Sequence, residues 1–180
     1  MSTSAEHGGL HAMLGARERA AEIPASSDVY GWLVGSWRLD VRHYRGVDVS
    51  GDGLHGEVHA GWVLEGRAVQ DVWIMPERSA RGVGRSPDFD MYGTTLRLWA
   101  PDLDAWHISW SNPAGRHYER QIGRRIGAEI VQLGTRSDGT PTRWRFTELT
   151  ADSFHWLGEA LQPDGSTWRL EGEFLAQRMR

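Results

Sequence analysis

The chain has no cysteine in its 180 residues, so disulfide staples, thiolate metal ligands and thiol nucleophiles are all excluded and stability has to come from packing. Lysine is missing too: all 20 basic residues are arginine, a compositional habit that goes with a GC-rich bacterial genome and carries no chemistry of its own. There is no excess of basic charge. With 24 acidic against 20 basic residues the net charge is −4, which offers no broad electrostatic footprint for nucleic acid or an anionic membrane. No apolar run approaches the length of a transmembrane helix, and the first residues lack the basic start and apolar stretch of a signal peptide, so a cytoplasmic location is expected. A Gly-x-Ser-x-Gly elbow, a Walker loop and a dinucleotide glycine fingerprint are absent as well.

What the chain has in abundance is tryptophan, ten in all, spread almost one to a strand: Trp32, Trp37, Trp62, Trp73, Trp99, Trp106, Trp110, Trp144, Trp156 and Trp168. Solid small cores are usually built from Leu, Ile and Val. Large rigid rings with a polar edge are favoured where a cavity must be lined and a guest oriented.

Residues 1–28 are rich in Ala, Ser, Gly and Glu, with Leu10, Met13, Leu14 and Ala21 on one side of a short helix before Pro24. This leader is expected to lie over one end of a single barrel domain formed by residues 29–180. From Tyr30 onward the hydrophobic period becomes two, and turn signals recur roughly every 8 to 15 residues, the spacing of an all-β sandwich or barrel. Strands are expected over 30–44, 54–64, 67–75, 91–99, 105–111, 117–122, 129–135, 142–149, 153–161 and 167–177. Glu65-Gly66 should close a tight hairpin, and Gly123-Arg124-Arg125 should end the sixth strand. Ten consecutive antiparallel strands in an open sheet would leave two long unpaired edges, so closure into an up-and-down barrel is expected. A barrel of that size has room for a small ligand. The one long connection, residues 76–90, is a candidate flap over the mouth.

The Gly35-Ser36-Trp37 corner resembles the Gly-x-Trp signature of lipocalins and related calycin barrels, in which the tryptophan plugs the closed end. The later pattern is similar to an uncharacterised bacterial lipocalin-like family: Trp62-Val63-Leu64-Glu65-Gly66-Arg67, Trp106, Arg143-Trp144-Arg145-Phe146, Phe154-His155-Trp156, Asp164-Gly165-Ser166-Thr167-Trp168 and Ala176-Gln177-Arg178. The resemblance spans residues 30–178 and implies a calycin-type barrel, with no reaction to carry over.

Alternation sorts the strands into faces. The aromatic faces together form an inner wall of Trp37, Trp62, Trp106, Trp110, Trp144, Trp156 and Trp168, relieved by Ala60, Gly158, Ala160 and Gly172, while Trp73 and Trp99 are expected outside or in an interface. Gln70, Tyr92, Thr94 and Arg145 are the polar groups expected to orient a guest. Glu57 and His59 share one face of their strand, against Val58, Ala60 and Trp62; whichever face looks inward, the other is outside. The general acid or base candidates are Glu57, His59, Asp71 and Glu159, since one carboxylate or imidazole in an apolar pocket suffices for proton transfer. A metal site would need His107 or another carboxylate to join Glu57 and His59, and single-histidine haem ligation would need His43, His107, His117 or His155 to face a cavity. Neither is indicated, and no cofactor is expected. Two functions follow from the sequence: a carrier or sensor for a small hydrophobic or aromatic molecule, or a cofactor-free isomerase, cyclase or hydrolase. A homodimer through an exposed sheet face is compatible with both.

Overall fold

A computed structural model describes residues 9–82 and 87–180. Ten long strands follow one another: β1 (Gly35–Tyr44), β2 (His55–Val63), β3 (Ala68–Met75), β4 (Met91–Ala100), β5 (Ala105–Asn112), β6 (His117–Ile126), β7 (Glu129–Thr135), β8 (Pro141–Thr147), β9 (Ser153–Leu161) and β10 (Trp168–Arg178). Each pairs antiparallel with its neighbour in sequence, and β10 returns to pair with β1, for example Ala176 with Leu39. The barrel is closed, so every long strand has both edges satisfied. Two two-residue pieces add to it: Gly15–Ala16 pairs with the end of β2, and Val47–Asp48 folds back on β1.

The leader behaves differently from the expectation. Helix α1 (Leu10–Leu14) is a single short turn whose Leu10 and Met13 are each 74% exposed, because at Gly15 the chain straightens to pair with β2. The barrel end is covered instead by the segment that follows, which buries Ile23, Val29, Tyr30 and Leu33. Gly66, in the positive-φ turn between β2 and β3, accepts a bond from the Ala20 N–H (2.9 Å), and a side chain there would strike the leader backbone.

Three facing or boundary expectations need correction, each for a local reason. Strand β6 runs on through Gly123 to Ile126, since the Tyr30 hydroxyl and Ile108 fill the space a side chain at 123 would need, and the turn falls at Gly127 (φ 61°). Trp168 lies outside the barrel: a β-bulge opposite Gly158/Glu159 inserts Glu171 as an extra residue, which reverses the alternation of β10. Phe174 and Gly172 point inward, while Leu170 and Trp168 pair with Glu159 and Leu161 on the outer face, where the Arg143 guanidinium sits 4.3 Å from the Trp168 ring. Trp73 points inward, fixed by register with Val58 and Gly93, and Trp99 packs on Trp106 with ring centres 5.9 Å apart. Strand β3 is apolar on both faces, so its own pattern did not distinguish them.

Within the long connection, residues 83–86 lie outside the described residues, and the flap expectation falls partly on them. Its described flanks are tied to the barrel wall: Arg81 pairs with Asp90 (2.5 Å) and donates to the Met75 carbonyl (3.0 Å), and Phe89 packs 6.3 Å from Tyr44.

Candidate functional site

One end of the barrel is solid. The Trp37 indole N–H donates to the Leu33 carbonyl (2.7 Å), and the Arg178 guanidinium lies 4.0 Å over the Trp37 ring while donating to the carbonyls of Trp32, Val34 and Ala151. Gly35, at φ 126°, gives Arg178 room to do so: a side chain there would sit 2.6 Å from its guanidinium nitrogen. Trp106 donates to the Ser27 carbonyl (2.9 Å), and its ring meets Tyr30 edge-on at 5.3 Å. Burial holds the Tyr30 hydroxyl well above the usual phenol range.

The other half opens into a cavity of about 510 Å³. Its apolar wall is Trp73, Trp110, Trp144, Trp156 and Phe174. Trp156 stacks on Phe174 at 5.0 Å and 15°, and Trp144 meets Trp156 at 5.6 Å. Glycines keep the space open. A methyl group on Gly158 would lie 2.6 Å from the Trp156 ring, one on Gly172 3.0 Å from it, and one on Gly93 would collide with Trp110. Trp156 and Trp110 pack over these glycines, which have no side chain to push the rings into the lumen.

Polar groups interrupt this wall. Asp71 (1% exposed) and Arg97 (2%) form an ion pair of 2.5 Å, with Asp71 also accepting the Thr95 N–H at 3.0 Å. Arg97 and Thr95 both contribute to the cavity surface. Arg97 stacks over Tyr30 (5.0 Å), and its Nε has no partner, nor has either polar atom of the fully buried Gln132. On β6, Glu119 is buried behind His117. Burial pushes its carboxyl up, but bonds from His117 (3.2 Å), Thr142 and Gln121 (2.8 Å) outweigh that and hold it below the usual carboxylate range. At the mouth, Arg45, Arg116, His117 and Arg136 reach the cavity with Tyr44, Asn112 and Glu171. Glu171 accepts from Arg136 and Arg169, which against burial keep its carboxyl ionised at lower pH than usual.

The residues expected from the sequence fall into three places. Trp110, Trp144 and Trp156 line the cavity, and Asp71 stands inside behind Arg97. Trp62 and Trp106 are inside but belong to the solid end. The remainder are outside. Gln70 bonds to Thr94 on the outer face (3.0 Å), Tyr92 is 47% exposed beneath Arg81, and Arg145 pairs with Glu159 (3.0 Å) and Glu129 (3.1 Å). Arg143 joins Glu159 as well, and against burial these two arginines keep its carboxyl low. Thus Glu57, His59 and Glu159 do not converge with Asp71. Of the four histidines considered as haem ligands only His117 lines the cavity; His43 and His155 share Glu173 on the outer face, and His107 is exposed. No group of three or more His, Asp or Glu among the described residues is placed to hold a metal ion.

Sequence reasoning placed Trp73 outside, named His117 only as a haem candidate, and missed Thr95, Arg97, Asn112, Arg116, Glu119 and Arg136. The parity of Trp106, Ile108 and Trp110 on β5 was a usable signal for Asn112, and through cross-strand register for Arg97 and Glu119. The arginines in turns carried no signal.

Glu57 and His59 form a network on the outer wall: Ser36 Oγ contacts His59 Nδ1 (2.9 Å), His59 Nε2 contacts Glu57 (2.9 Å), and Arg78 donates to Glu57 through Nε (2.7 Å) and its backbone N–H (2.8 Å). Burial pushes the Glu57 carboxyl up, yet these bonds prevail and hold it at about 2, below its ordinary 4.5. A depressed carboxyl contributes stability that is complete above the unfolded value and lost as pH falls through the folded one. Glu57→Gln is therefore expected to cost on the order of 1 kcal/mol at neutral pH, since Arg78 is largely solvated, and to flatten the fall in stability between those two pH values. Urea midpoints across that window check it, and an unaltered acid limb would refute it.

No protein-family model matches the chain, and no curated protein matches it in sequence. The closed antiparallel barrel is compatible with the lipocalin-like fold that the Gly35-Ser36-Trp37 corner resembles. No helix among the described residues is long and apolar enough to cross a membrane.

Proposed function

We propose that this protein binds a small aromatic or hydrophobic molecule inside the barrel, as a lipocalin-like carrier or sensor. The observation that carries the reading is the aromatic cavity of about 510 Å³ held open by Gly93, Gly158 and Gly172. Those glycines weaken their strands and leave the apolar surface of the rings unfilled, a cost that a guest packed against Trp110, Trp144 and Trp156 offsets. Titrating the protein with a panel of flat aromatic compounds should quench tryptophan fluorescence saturably. Gly158→Leu, which drives the Trp156 ring into the lumen, should weaken that binding about tenfold or more, a difference of about 1.4 kcal/mol. Flat responses across the whole panel would overturn the reading.

One observation favours a second reading, that of a cofactor-free enzyme. His117 stands on the cavity wall with Nε2 on the buried, ionised Glu119, which leaves Nδ1 as the basic nitrogen. A carboxylate holding an imidazole in this tautomer is a general-base arrangement, contributing roughly 10²–10⁴-fold where a proton is removed from a bound substrate. His117→Gln should then abolish turnover of a bound compound by about that factor while leaving its affinity within a few fold. Equal turnover in the variant would remove this reading.

A further inference from the structure

The cavity mouth is basic although the chain as a whole is acidic, and the charges do not cancel there. Among the described residues the arginines on the cavity surface are Arg45, Arg97, Arg116 and Arg136, the one acid on it is Glu171, and His117 is bonded to the buried Glu119. Arg97 is neutralised by Asp71, and Arg136 by Glu171, which Arg169 also shares. Arg116 has no acidic side chain within ion-pair distance among the described residues. Arg45 reaches Asp88 only at 3.9 Å, with side-chain exposures of 47% and 81%, so that contact is weak.

These two arginines come together from different turns. Arg45 follows β1 and Arg116 precedes β6, yet an Arg45 Nη lies 3.4 Å from the position a side chain on Gly115 would take, beside Arg116. Two guanidinium groups on the rim of one cavity, with only the weak Asp88 contact to set against them, raise the local potential there. A carboxylate at this rim would accept charge-assisted hydrogen bonds, which the planar guanidinium fork suits better than any other side chain.

We propose that the guest is an organic acid whose apolar body lies against Trp110 and Trp156 and whose carboxylate sits at the mouth on Arg45 and Arg116; this rests on the cavity-binding reading above. The test compares 2-naphthoate with the neutral 2-naphthamide, two probes of nearly equal shape, on the full chain and on the Arg45→Gln/Arg116→Gln double variant. The acid should bind the parent at least about tenfold tighter than the amide, the range of a charge-assisted bond, and the preference should shrink as ionic strength rises. In the double variant the preference should vanish while the amide binds as before, which shows at once that the barrel is folded. Equal binding of acid and amide to the parent overturns the organic-acid proposal and leaves the cavity reading standing. A preference that survives in the double variant overturns the assignment to these arginines. If neither probe binds, the organic-acid proposal falls, and the cavity reading is decided by the wider aromatic panel.

Discussion

Arg97→Met is expected to destabilise the barrel by about 3–5 kcal/mol, the cost of leaving one member of a buried ion pair without its partner. The pair is almost wholly buried: Asp71 and Arg97 are at most 2% exposed and 2.5 Å apart. Removing the guanidinium strands a carboxylate that retains the Thr95 N–H but no countercharge. The double variant Asp71→Asn/Arg97→Met removes both charges and keeps an oxygen for Thr95, so it should recover at least about 2 kcal/mol of the loss. Arg97 Nε has no partner even in the parent, which further lowers what the pair contributes. Urea denaturation of the three proteins decides the matter. A double variant no more stable than the single one would mean that the loss comes from packing of the arginine stem and not from the stranded charge.

Trp37→Ala should cost a similar amount, about 3–5 kcal/mol, and more than Trp156→Ala. Trp37 is fully buried, meets Phe154 at 4.9 Å and Trp32 at 6.0 Å, carries Arg178 on its face and bonds to the Leu33 carbonyl. Its removal leaves a void at the solid end, an unpaired carbonyl and a guanidinium without its platform. Trp156 already borders open space, so its loss mainly enlarges the lumen. Trp37→Phe, which keeps a six-membered ring but loses the pyrrole half of the indole and its hydrogen bond, should fall between, at about 2–3 kcal/mol. Chemical denaturation ranks the three, and equal losses for Trp37→Ala and Trp156→Ala would show that stability is not concentrated at the closed end.

Much of the fold was legible because β-structure writes itself in period two and in turn residues. The ten strands fell within a few residues of their expected limits, and closure followed from the edge argument alone. The ring wall of Trp110, Trp144 and Trp156 was readable for the same reason. What misled was local. One extra residue, Glu171, moved Trp168 from the interior to the surface, and a bulge has no signature in composition. Strand β4 carries Leu96 and Leu98 on its outer face and Thr95 and Arg97 inside, the reverse of the usual sorting, because Arg97 finds Asp71 one strand away. Such a partnership depends on cross-strand register, which a single strand's pattern does not contain. Arg45 and Arg116 belong to turns, where side chains are sorted by neither period.

The seam between β1 and β10 also sets when this molecule can exist. Those strands stand at opposite ends of the barrel sequence, yet Leu39 and Ala176 must lie side by side. During synthesis β1 therefore leaves the ribosome with one flank that only the last strand of the barrel can occupy. Pairing so distant in sequence carries a large loop-closure cost and makes folding slow. Until β10 arrives the unpaired margin is a template for other chains, so the interval before the ring shuts, and not the finished barrel, is where this protein is most exposed to misassembly.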